Sequence, residues 1–107
     1  MLTQRSAISK IKKIAEEIRS SGIHLHKVIL YGSYARNEQH KWSDIDIAMV
    51  ADEFNGIGFE DVKLFSRLLI KYPDLNIQPR TYNTKGFSVK KDPFVAEILA
   101  NGIEIKA

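Results

Sequence analysis

Cysteine is absent from the 107 residues, so no disulfide braces this chain and no thiolate can ligate a metal. Proline occurs three times and glycine six, and no Ser/Gly/Pro-rich stretch marks a linker. No apolar run approaches the length of a membrane span or of a signal-peptide core, which makes a cytoplasmic protein the expectation. Neither sign of charge dominates: 16 basic and 13 acidic side chains leave a formal charge of +3. That excess can favour nucleotides, RNA or an acidic protein partner at long range but is too small and dispersed to form a nucleic-acid footprint, so direct nucleic-acid binding is not expected. Internal repeats and low-complexity segments are also missing. A hydrophobic content of 44% over this length buries one core, not two, so residues 1–107 are read as a single domain.

What is present concentrates in two short segments. Val28-Ile29-Leu30-Tyr31 reads as a buried strand and runs into Gly32-Ser33-Tyr34-Ala35-Arg36. A strand that ends at Gly-Ser and turns into a helical segment exposes backbone N–H groups, and glycine lacks the Cβ that would hold a phosphate away. Ser33 can add a hydroxyl donor or act as an ordinary N-cap. After a polar loop comes Ser43-Asp44-Ile45-Asp46. Alternation along a strand puts Asp44 and Asp46 on one face, roughly 7 Å apart at Cα. Two like charges so placed repel unless a cation lies between them, and they can share one Mg²⁺ or a pair of ions about 4 Å apart, the arrangement of phosphoryl displacement. Arg36 can touch phosphate or pair with one of the aspartates.

Periodicity supplies the frame. Ile8, Ile11, Ile14, Ala15 and Ile18 predict a helix from about Thr3 to Ser20, closed by Ser21-Gly22. A strand over Lys27–Tyr31, a short helix over Ser33–Asn37 and a strand over Ile45–Val50 follow. Asn55-Gly56-Ile57-Gly58 is a turn. A helix over Phe59–Lys71 carries Val62, Phe65, Leu68 and Leu69 on one face and stops before Pro73. Leu75–Tyr82 reads as a third strand, with Pro79 requiring an edge position or a bulge. Asp92-Pro93 caps and opens a last helix through Phe94, Val95, Ile98 and Leu99, ended by Asn101-Gly102. The order is αβαβαβα. His24, His26 and His40 lack zinc spacing and read as structural or surface groups. Lys63, Arg67 and Lys71 form a solvated helix face. Tyr34 and Trp42 either border a ligand or pack over a core edge.

Gly-Ser-x-Ala-Arg followed by Ser-Asp-x-Asp resembles the active-site signature of the polymerase beta-like nucleotidyltransferases, and within them the minimal nucleotidyltransferase family. The resemblance covers nearly the whole chain. It implies an α/β (α+β) fold, a small mixed sheet flanked by helices with the catalytic groups at one edge. It also implies Mg²⁺, as one or two ions, on Asp44 and Asp46, and ATP as donor with its triphosphate on Gly32, Ser33 and Arg36. A third carboxylate is usual on the strand after the long helix. The position aligned with it here is Asn76, and Gln78 on the same face is also an amide, which is a weaker ligand and no base. Asp74 can reach in from two residues earlier or is a turn residue after Pro73. Asn37 replaces the glycine usual after the arginine, and asparagine tolerates left-handed backbone angles. Minimal nucleotidyltransferases commonly pair with a helical HEPN protein as antitoxin and toxin. The resemblance therefore implies AMP transfer to a hydroxyl, such as a tyrosine's, on that partner. The absence of the usual acid leaves a second reading, a nucleotide-binding subunit that neutralises its partner by occlusion alone. Transfer to a small molecule or an RNA end is a third, and homo-oligomerisation stays open.

Overall fold

The computed structural model describes residues 2–106. Helix α1 (Gln4–Ser20) starts at Thr3, whose hydroxyl accepts from the Ser6 N–H at 3.1 Å while the Ser6 hydroxyl accepts from the Thr3 N–H at 3.0 Å, a reciprocal cap. It buries Ala7, Ile11, Ile14, Ala15 and Ile18, the face its periodicity predicts, and stops where Gly22 takes φ +102°.

Strands β1 (Leu25–Tyr31), β2 (Ile45–Ala51), β3 (Ile77–Asn83) and β4 (Ile103–Glu104) form one sheet in the order β3-β2-β1-β4. β1 runs antiparallel to β2 and β4, and β2 runs parallel to β3, so the sheet is mixed as expected. Alternation divides the strand side chains between two cores. Val28, Leu30, Ile45, Ile47 and Met49 pack with α1, Phe54 and Phe65 on one face. Ile29, Ala48, Val50 and Tyr82 pack on the other with Val95 and Ile98 of helix α4 (Phe94–Asn101). The Phe94 N–H donates to Asp92 Oδ1 at 3.0 Å, so Asp92 caps this helix as its position before Pro93 predicts.

Four expectations change. The helix expected over Ser33–Asn37 is a run of hydrogen-bonded turns: Arg36 N–H reaches Gly32 O at 3.2 Å and Glu38 N–H reaches Ser33 O at 2.8 Å. Asn37 ends it at φ +56°, the left-handed angle that asparagine accepts. The helix expected over Phe59–Lys71 is three short pieces, α2 (Gly58–Asp61), a 3₁₀ turn at Val62–Leu64 and α3 (Ser66–Leu69), because the backbone leaves helical angles at Phe65 (φ −135°, ψ 7°) as its ring packs on Phe54. The strand after it begins at Ile77 instead of Leu75, and β1 begins at Leu25 instead of Lys27. β4 is additional. The turn at 55–58 is present and is pinned by buried Asp61, whose carboxylate accepts from Asn55 N–H, Gly56 N–H and the Thr81 hydroxyl at 2.9, 2.9 and 2.7 Å.

Pro79 lies in β3, the outer strand. Ile45 N–H donates to Asn76 O at 2.8 Å. Parallel-ladder alternation then turns the backbone of residues 76, 78, 80 and 82 toward β2 and leaves the Pro79 nitrogen facing outward, where no ladder bond is lost.

Candidate active site

The end of β1 and the start of β2 meet at one edge of the sheet, where Tyr31 stands opposite Asp46. Gly32 follows with φ +75°, and a Cβ there would run into the Asp46 carboxylate. Glycine is therefore needed twice, for the left-handed angle and for the close approach. Helix α1 fixes the turn from behind: Gln4 Nε2 donates to the carbonyls of Tyr34 and Ala35 at 2.9 and 3.1 Å. Tyr34 is buried in the core beneath it.

The structure brings Gly32, Ser33, Arg36, Asp44 and Asp46 to this edge. Asp44 is exposed and Asp46 half-buried. Burial first, and the charge of Asp44 second, raise Asp46 above the ordinary carboxylate range, while Arg36 pulls it back. Arg36 Nε donates to Glu38 Oε1 at 2.7 Å, and its side chain borders the same pocket as Asp46. Burial, and then Asp46, raise the hydroxyl of Tyr31.

Asn76 and Gln78 lie on the side of β2 away from Tyr31. Asn76 Nδ2 donates to Asp44 Oδ1, and Gln78 Nε2 donates to Asn76 Oδ1 at 3.1 Å. In the β2–β3 register it is Gln78 that faces Asp46. Asp74 sits in the exposed turn before β3 and borders a separate hollow of about 280 Å³ with Trp42, Ser43 and Asn76. Among the described residues no three of His, Cys, Asp and Glu gather as a metal site. The oxygen donors here are two carboxylates and the neighbouring amides, hard ligands of the kind Mg²⁺ takes. A cation would offset both the burial and the Asp44 charge that raise Asp46.

Trp42 is 78% exposed, with Lys41 Nζ 5.1 Å from its ring centroid. The histidines are surface groups as expected: His24 Nδ1 meets Glu53 Oε2 at 2.6 Å and His26 Nε2 meets Asp52 Oδ1 at 3.1 Å, while His40 Nδ1 accepts from the Trp42 N–H at 3.2 Å. Tyr31, Phe94, Glu97 and Asn101, which no motif singles out, line a pocket of about 240 Å³ with Gly32 and Asp46. For Tyr31 a signal existed, since strand alternation and its place beside Gly32 put it at this edge.

Residues 8–102 match the family model described as nucleotidyltransferase domain. A candidate protein adenylyltransferase of Methanocaldococcus jannaschii, MJ0141, is 32% identical over 83 residues, 76% of this chain and 79% of that protein. The fold is similar to that of a candidate nucleotidyltransferase from Sulfolobus solfataricus, with a TM-score of 0.64 and 24% identity over 94% of this chain and 80% of that one. It is also similar to a chain of the MntA-HpeT toxin-antitoxin complex carrying two Asp-to-Glu substitutions, with a TM-score of 0.62 and 21% identity over 94% and 73% of the two chains. A third similar structure is a toxin-antitoxin with AMP-PNP, with a TM-score of 0.60 and 20% identity over 90% and 73%. Among the described residues no helix is long and apolar enough to cross a membrane.

Proposed function

The chain belongs to the nucleotidyltransferase domain family, and we propose that it transfers AMP from ATP to a hydroxyl group on a partner protein. The observation that carries this reading is the seating of the Asp46 carboxylate against Gly32, with no Cβ between them and the charge of Asp44 close enough to act on Asp46. The turn's N–H groups, the Ser33 hydroxyl and Arg36 hold the triphosphate. Asp44 and Asp46 would hold Mg²⁺, which would supply charge stabilisation to the attacking and leaving oxygens. The chain's own task is to align the acceptor oxygen with the α-phosphorus. A P–O bond forms there, the bond to pyrophosphate breaks and the hydroxyl proton leaves to solvent.

The acceptor comes with the partner, because the described residues form one four-stranded sheet with its flanking helices and leave little surface for acceptor recognition. A relative named as a protein adenylyltransferase and similar folds seen in toxin-antitoxin complexes support a protein acceptor. A helical protein of the HEPN type is the partner the sequence resemblance implies, with this chain as antitoxin in a cytoplasmic pair. Intact-mass analysis of the two proteins after incubation with ATP and Mg²⁺ tests it. An AMP-sized gain on the partner that chelation abolishes is the expected result, and no gain on a folded, active partner rejects transfer.

One feature favours binding without chemistry. Asn76 occupies an Asp44 oxygen with a donated hydrogen bond, and with Gln78 places amides where a third acid is usual. A protein carrying Asp44→Asn and Asp46→Asn that still neutralises the partner would establish that reading.

A further inference from the structure

The pocket of about 240 Å³ beside Asp46 has walls suited to a planar ring. It falls below the range of about 300–1,000 Å³ of pockets that enclose whole drug-sized ligands and suits a single ring system. Phe94, in the first turn of α4, is 36% exposed and borders it. The ring is braced rather than loose. The Arg80 guanidinium lies 4.6 Å from its centroid, and Tyr31 meets it edge-on at 5.6 Å and 78°. Arg80 is itself fixed, Nε donating to the Tyr82 hydroxyl at 2.8 Å and a terminal nitrogen to Asp92 at 3.4 Å.

The polar rim is built as well. Asn101 Nδ2 donates to Glu97 Oε1 at 2.9 Å. Both residues line the pocket, and among the described residues this bond leaves Asn101 Oδ1 and the second Glu97 oxygen as acceptors, matched to a ring that carries an amino group. Gly32 and Arg36 line the same pocket, so a molecule with its ring here and its phosphates on the turn would fill one continuous surface.

We propose that this pocket holds the nucleobase of the donor nucleotide, stacked on the exposed side of Phe94 with its amino group turned toward Glu97 and Asn101. The inference rests on the nucleotidyl-transfer reading and adds a base-holding residue to it. Base stacking on an aromatic side chain strengthens binding by about tenfold, equivalent to about 1.4 kcal/mol.

Calorimetric titration with ATP and, separately, with inorganic tripolyphosphate, each with Mg²⁺, tests the assignment. The unaltered protein binds ATP about tenfold more tightly than tripolyphosphate. Phe94→Ala erases that gap and leaves tripolyphosphate binding unchanged, which also shows the variant folded. Phe94→Trp restores the gap. Unchanged ATP affinity in Phe94→Ala overturns the proposal, as does equal loss of both ligands, which would make Phe94 a packing residue. If the unaltered protein binds neither compound, the nucleotide reading itself falls.

Discussion

The two ends of the β1–β2 pair each carry two acids in contrasting surroundings. At the far end Asp52 and Glu53 are exposed and paired. The Thr84 hydroxyl, and then His26, hold Asp52 below the ordinary carboxylate range, and His24 does the same for Glu53. At the near end, among the described residues, no histidine or lysine bonds to Asp44 or Asp46, Arg36 pairs with Glu38, and Asp46 is pushed upward by burial and by Asp44. The two settings lie on the same strands, a few residues apart. The far acids are satisfied within the chain, whereas burial and a like-charged neighbour disfavour the ionised form of Asp46. Burial of Asp46, with a like charge beside it, is what separates a candidate site from surface charge here.

The sharpest break of this contrast is substitution at each end. Asp46→Asn lowers AMP transfer about a thousandfold, the loss of several kcal/mol of metal-borne charge stabilisation, while Asp52→Asn leaves the rate within about twofold. Single-turnover transfer assays with the purified partner measure both. Next in size is the glycine comparison. Gly22 has φ +102° with open space around it, whereas Gly32 at φ +75° faces Asp46. Gly22→Ala costs about 1 kcal/mol of stability in chemical denaturation, and Gly32→Ala costs about 2 kcal/mol or more and also displaces Asp46, so only the latter weakens nucleotide binding.

A smaller effect concerns stability and pH. Asp46 has a raised folded-state pKa, so its neutral form is favoured in the fold. Its relative stabilisation is complete below the ordinary carboxylate pKa and is lost as pH rises through the raised value. Without added metal, Asp46→Asn therefore raises the neutral-pH Tm by a few degrees, an advantage that disappears on acidification or with Mg²⁺. The smallest effect belongs to the far end. The His24–Glu53 pair contributes from above Glu53's ordinary 4.5 up to His24's ordinary 6.5 and fades as pH rises through the raised His24 value. Because both side chains are exposed, His24→Ala leaves Tm unchanged within scatter at pH 8 and lowers it barely measurably near pH 6.

Much of this geometry was legible in the residues themselves. The apolar spacing of Ile11, Ile14 and Ile18 allows only one buried helix face, and Asp44-x-Asp46 on an alternating strand allows only one shared face. The break at Phe65 was not legible, because Val62, Phe65, Leu68 and Leu69 satisfy helical periodicity whether the backbone is one helix or three short turns. Pairing register was equally hidden. Asn76 was the residue aligned with the missing acid, yet the parallel β2–β3 ladder places Asn76 beside Asp44 and Gln78 opposite Asp46, and nothing local in either strand specifies that offset. Phe94, Glu97 and Asn101 read as ordinary helix positions until the chain brings α4 across β1.

Pro79 has a consequence for assembly. A strand at the rim of a sheet usually offers a row of free N–H groups to any extended segment that arrives, another copy of the chain included. The outward-facing nitrogen of Pro79 carries no hydrogen, so the row on β3 is interrupted near its middle. Sheet extension across this rim is disfavoured, so on the β3 side another protein meets side-chain surfaces rather than a strand ready to be extended.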